Sequence, residues 1–191
     1  MPRDFLFTKE EIIAAALDLT REKGFSAVST RALGEKLGTS SRPIFSRFEN
    51  MGEVNKAIIS AANDVYQAYI KREVAEAKYP PFKATGMAYI RFAREEKELF
   101  KLLFMRDRSG EKVKENPEEM NSLISLICKQ LGTDEENAKT FYFEMWVYVH
   151  GIASMIATNY LSWDEEVSSR AVTDVYEGLK RRYSDKLSKT E

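Results

Sequence analysis

Apolar residues recur along this chain at helical rather than strand spacing. Thr8-Lys9-Glu10-Glu11 has the form of a capping box, in which Thr8 accepts from an early backbone N–H and Glu11 reaches back. Ile12, Ile13, Ala16, Leu17 and Thr20 follow on one helical face, and Gly24 ends the run. Phe25 and Val28 then turn inward as anchors. Ser29 is a suitable N-cap for a second helix with Leu33 and Leu37 on its buried side. Gly38 permits a tight turn, Ser40 is placed to cap a third helix, and Ile44, Phe45 and Phe48 form its apolar side. After Asn50-Met51-Gly52 the spacing of Val54, Ile58, Ala61, Ala62, Val65, Tyr69 and Ile70 predicts a long helix over 52–77, stopped by Pro80-Pro81. Residues 83–105 read as a helix pair or one bent helix. Arg106–Asn116 reads as a loop, and helices are expected over 117–131, 134–160 and 164–186, with a frayed tail from Ser184 to Glu191. The expected fold is all-α, with about nine helices.

Composition narrows this further. Of 191 residues, 43% are hydrophobic and 31% charged, which suits a globular helical chain with a real core. The lone cysteine, Cys128, excludes an internal disulfide framework, and with one histidine, His150, it leaves no Cys/His zinc set. Residues 141–161 are the most apolar run, but Glu144, His150, Thr158 and Asn159 interrupt it, so a core helix fits better than a membrane span. With no signal-peptide core at the start, a cytoplasmic location is expected.

The stretch Ser29–Phe48 carries the most chemistry. Two short helices broken at Gly38, the second opening on hydroxyl residues and bearing arginines, have the layout of a helix-turn-helix. The net charge is −1, so DNA affinity must come from placed groups and dimerisation, not bulk charge. Arg42 is the foremost base reader, since a guanidinium can present two parallel N–H groups to guanine. Arg31 is a comparable candidate and Arg47 a phosphate contact, while Ser40 and Ser41 can hold phosphate through hydroxyls and helix-start N–H groups. Pro43 suits the first turn of the recognition helix and can also touch a thymine methyl.

The order capping helix, Gly24-Phe25, Ser29-Thr30-Arg31, Leu37-Gly38, Ser40, Ile44-Phe45, Arg47-Phe48 resembles the tetracycline-repressor (TetR) family of transcriptional regulators. The specific match covers about residues 8–54. Trp146-Val147-Tyr148-Val149-His150-Gly151 is similar to a W-x-x-x-H-G pattern of some members. The resemblance implies a helix-turn-helix domain over 1–51, a helical ligand-binding and dimerisation domain over 52–191, and no catalysis or cofactor. It implies DNA contacts at Thr30, Arg31, Ser40, Ser41, Arg42, Pro43, Phe45, Ser46 and Arg47. Phe45 stands where members carry a tyrosine, Arg47 where they carry a histidine, and Met51 where a lysine is frequent. The phosphate grip is therefore expected to be rebuilt around arginine.

For the body, Tyr66, Tyr69, Met87, Phe104, Phe141, Met145 and Tyr148 are candidates to line a pocket for a small apolar or amphipathic ligand. Ordinary helix packing would give the same stripes. Glu144 and His150 are six apart and fall on different faces, poor spacing for a metal pair or catalytic dyad. The expected function is a homodimeric repressor, dimerised through 134–160 and 164–186, that a ligand releases from a pseudo-palindromic operator. An activator or ligand-independent regulator stays open. An all-α enzyme lacks a convergent nucleophile, acid–base set or metal constellation.

Overall fold

The computed structural model describes residues 7–109 and 117–184. Among these the chain is entirely helical: α1 (Lys9–Lys23), a 3₁₀ turn (Phe25–Ala27), α2 (Thr30–Lys36), α3 (Arg42–Phe45), α4 (Met51–Glu76), α5 (Pro81–Glu95), α6 (Lys97–Phe104), α7 (Pro117–Leu131), α8 (Glu135–Ala157) and α9 (Glu165–Ser184). The expected loop beyond Ser109 and the tail beyond Ser184 lie outside the described residues. No helix among them is long and apolar enough to cross a membrane.

Local chemistry sets the helix starts. Thr8 and Glu11 form the reciprocal capping box, Ser29 accepts from the Ala32 N–H, and Asn50 accepts from the Glu53 N–H at the head of α4. The third helix departs from expectation. Ser41, not Ser40, occupies its N-cap, in a helical conformation and without a side-chain cap bond, and the regular helix is only Arg42–Phe45. Pro43 sits in its first turn, and the chain continues to Phe48 through single turns such as Phe48 N–H to Ile44 C=O at 3.0 Å.

The 83–105 segment resolves into two helices. The break is at Glu96, whose φ of −122° and ψ of 52° are not helical. No glycine or proline marks it. Instead the Glu96 carboxylate receives both Nε (2.8 Å) and Nη2 (3.0 Å) of Arg21 from α1. A bidentate, charge-assisted pair of this kind outweighs the modest helix preference of one residue.

Packing centres on α5, which lies against α4 and α8 and also meets α6 and α9. It buries Ala84, Met87, Ala88, Tyr89, Ile90, Phe92 and Ala93. The N-terminal head has its own apolar residues, Ile12, Ala16, Leu19, Leu33, Ile44 and Phe48, but these are continuous with the core of the body through Val54 and Ile58 of α4. So short a head buries little surface alone. α1 accordingly packs on α4 and equally on α6, a second junction the chain pattern did not announce. One buried charge, Glu73 of α4, is met by Arg91 of α5 at 3.3 Å.

Candidate DNA-binding face and ligand cavity

Two separate regions carry candidate chemistry. The first is the head. Gly34 of α2 lies so close to the following turn that a Cβ there would sit 2.8 Å from the Thr39 carbonyl oxygen, and the Thr39 N–H donates to the Gly34 carbonyl at 2.8 Å. Gly38 takes φ = 67°, a left-handed conformation that favours glycine. These two glycines fold α3 across α2. The result gathers Thr30, Arg31, Ser40 and Ser41 around one polar recess floored by Gly34. Arg42 and Ser46 are exposed on α3 and its exit, Pro43 is half-buried, and Phe45 is 45% exposed, unusual for so large an apolar ring.

The arginines differ in their commitments. Arg42 has no ion-pair partner among the described residues. Arg31 donates through Nε to Glu35 one turn on, at 2.9 Å, in a pair open to solvent on both sides. Such a pair is worth little and yields readily to a phosphate. Arg47, read as a phosphate contact, is half-buried and donates Nε to the Phe7 carbonyl at 2.8 Å. It ties the segment before α1 to the end of α3, a structural role that the spacing alone did not suggest.

The second region is a cavity of about 710 Å³ lined by residues of α4, α5, α6, α7, α8 and α9 and partly open to solvent. That volume falls within the usual ~300–1,000 Å³ of small-molecule sites. Of the seven expected lining residues, Tyr66, Phe104 and Met145 face it. The other four do not. Tyr69 turns away to donate to Glu95 at 2.8 Å, and burial together with that bond pushes its hydroxyl up to about 12. Met87 is packed into the core. Phe141 is wedged between Phe82, Tyr176 and Tyr183, and Tyr148 is a half-buried residue of α8 outside the lining. Helical periodicity shows which stripe is apolar but not which part of it borders a void.

Sequence reasoning missed much of the wall. The first turn of α5 contributes Phe82 and Lys83, its middle contributes Tyr89, and α8 contributes Tyr142, Trp146 and Val149. The Trp146–His150 pattern was the available signal. Tyr89 Oη lies 2.8 Å from His150 Nδ1, and Ser154 Oγ lies 3.3 Å from Nε2. The imidazole is stacked on Trp146, with ring centroids 5.2 Å apart and planes within 10°. His150 therefore braces two wall residues, and among the described residues no carboxylate bonds to it to favour its charged form.

Burial lowers the His150 pKa from its ordinary value. The unfolded chain thus binds this proton more readily than the folded one, so stability is full above the unfolded value near 6.5 and declines as pH falls through it. Thermal unfolding measured from pH 7 to 5 should show this decline, and His150→Gln should flatten it. An unchanged slope in the variant would assign the pH dependence elsewhere.

Sequence families agree with this architecture. Residues 12–58 match the model of bacterial regulatory proteins of the tetR family, and residues 82–176 match a tetracyclin repressor-like C-terminal domain. The chain belongs to the TetR family. It is an all-α, DNA-binding transcriptional regulator with an N-terminal helix-turn-helix and a helical C-terminal part. Solved structures share the fold at low identity. A protein of Pseudomonas aeruginosa PAO1 assigned as a transcriptional regulator has 13% identity and a TM-score of 0.63, over 92% of this chain and 93% of that one. A TetR-like transcriptional regulator of Rhodococcus sp. RHA1 has 17% identity and a TM-score of 0.62, over 95% and 97%. A single-substitution variant of TetR from Acinetobacter baumannii AYE, solved with minocycline, has 17% identity and a TM-score of 0.60, over 93% and 99%. No curated protein matches the chain significantly in sequence.

Proposed function

We propose that this TetR-family regulator is a cytoplasmic homodimeric repressor, released from a pseudo-palindromic operator by a small amphipathic ligand. The observation that carries the reading is where the cavity sits. Tyr66 of α4 and Phe104 of α6 line it, and these are the two helices on which α1 of the head is seated. A ligand that favours one placement of α4 and α6 changes the placement of the head by the same free energy. The relative solved in complex with minocycline, which shares this fold, supports a small-molecule ligand. On this reading residues 1–51 read DNA, and residues 52–191 bind ligand and dimerise. Catalysis, a metal and a cofactor have no part in it.

Two copies would meet through α8 and α9. Phe143, Trp146 and Val147 leave 60%, 44% and 48% of their surface exposed on α8, next to Gly151. A Cβ at Gly151, or at Gly178 of α9, would meet no neighbouring element within 4 Å among the described residues. Glycine costs about 1 kcal/mol against alanine within a helix, and packing among the described residues of one copy accounts for neither. Close approach of a second copy would account for both. Two heads would then meet half-sites about 34–36 Å apart.

Footprinting the protein on its own upstream region tests the DNA reading. Arg42→Ala should weaken specific binding by about tenfold or more while the melting temperature stays unchanged. Undiminished specific binding would remove Arg42 from the reading set. Any compound that raises the melting temperature should lower operator affinity, and the operator should lower the affinity for that compound by the same factor.

A further inference from the structure

The cavity is apolar and aromatic nearly all round, yet a lysine opens into it at one end. Lys83, in the first turn of α5, places Nζ 2.7 Å from Ser169 Oγ and 2.8 Å from Thr173 Oγ1, both on α9. Thr173 spends its own hydroxyl proton on the Ser169 carbonyl at 2.9 Å, so its oxygen can only accept from the ammonium. The Tyr79 ring lies 4.5 Å below. An ammonium has three N–H donors, and these neighbours fix its position while supplying no negative charge. The contrast with Lys78, five residues earlier, is direct, since that ammonium is held by the Glu165 carboxylate at 2.5 Å. Among the described residues no carboxylate pairs with Lys83.

The start of α5 reinforces the same polarity. Its N-cap is Pro80, which offers no side-chain acceptor, so the first-turn N–H groups of Phe82 and Lys83 are uncapped at the positive end of a fifteen-residue helix. Pro80, Pro81, Phe82 and Lys83 all border the cavity. Desolvation, and then the nearby Lys78, pull the Lys83 pKa below its ordinary value. A positive charge oriented by hydroxyls, partly dehydrated and without a carboxylate partner among the described residues, is available to an incoming anion.

Resting on the ligand-pocket reading above, we infer that the cavity takes an amphipathic monocarboxylate, its apolar body against Tyr66, Tyr89, Phe104 and Trp146 and its carboxylate on Lys83 and the first turn of α5. The single cation argues for one negative charge. Glu177, one turn beyond Thr173 on the same wall, disfavours a second.

Three probes with one body and different heads test this by calorimetry on the full-length protein: decanoate, decanol and decylammonium. Decanoate should bind at least about tenfold tighter than decanol, as expected of a charge-assisted hydrogen bond. Lys83→Met should erase that preference, bringing decanoate to the affinity of decanol or below, while an unchanged helical circular-dichroism spectrum shows that the variant is folded. Lys83→Arg should retain it. Equal affinity for decanoate and decanol, tighter binding of decylammonium, or a preference that survives in Lys83→Met would overturn the carboxylate seat and leave the pocket reading standing. Binding of none of the three would overturn both.

Discussion

Val147→Glu should leave the protein monomeric and cost it about a hundredfold or more in operator affinity. The side chain stands 48% exposed on α8, between Phe143 one turn before and Gly151 one turn after. On the proposed interface this face is covered by its symmetry mate, so the substitution places two carboxylates near one another in an apolar contact. Each would lose its hydration with no cation to meet it, a penalty of several kcal/mol per ion. The DNA effect follows from geometry rather than from any change in the head. A dimer binds its second half-site as an intramolecular event, an advantage of roughly 10²–10⁴ over one head alone. Sedimentation velocity gives the mass and a labelled operator fragment gives the affinity. A dimer that persists in Val147→Glu would place the interface elsewhere. The body of the monomer should stay intact, because α8 and α9 are joined within one copy. Tyr183 Oη donates to Glu144 at 3.0 Å, and Tyr183 is itself buried.

Much of this architecture can be read from the chain. Caps at Thr8, Ser29 and Asp134 lie where local chemistry requires them, because capping involves residues only three apart. The start of α7 at Pro117 and the turn at Gly38 are local in the same sense. What local pattern does not carry is anything decided by residues distant along the chain. Glu96 breaks a run of good helix formers because Arg21, seventy-five residues earlier, takes its carboxylate. Arg47 looks like a free cation in sequence and is committed to the Phe7 carbonyl. The cavity wall is the extreme case, since six helices contribute to it. Its aromatic residues are indistinguishable by spacing from Phe92 and Phe100, which fill the core beside them. Lys83 would pass for a surface lysine until α9 is laid against α5.

Gly34→Ala should separate the two halves of the molecule. Its added methyl would start 2.8 Å from the Thr39 carbonyl oxygen, inside contact distance of a backbone atom that cannot rotate away. The Ser40 carbonyl carbon lies 3.3 Å from the same point, so the turn between α2 and α3 has no direction in which to yield freely. Relief requires displacing α3, with a cost of about 1–3 kcal/mol typical of overpacking. Because that turn gathers Thr30, Arg31, Ser40 and Ser41, a shift of the backbone there misplaces every candidate contact of the head at once. Specific operator binding should be lost to a greater extent than in Arg42→Ala, which removes one side chain and leaves the frame. Gly38→Ala is the internal comparison. Its methyl would meet nothing among the described residues, and its cost is that of the left-handed φ of 67°, about 1 kcal/mol. Mass by sedimentation and decanoate binding should be the same in Gly34→Ala as in the parent, since the cavity and the proposed dimer face belong to α4–α9. Full operator affinity in Gly34→Ala would mean that the close approach of α2 to the Thr39 turn does not set the geometry of the DNA-binding face.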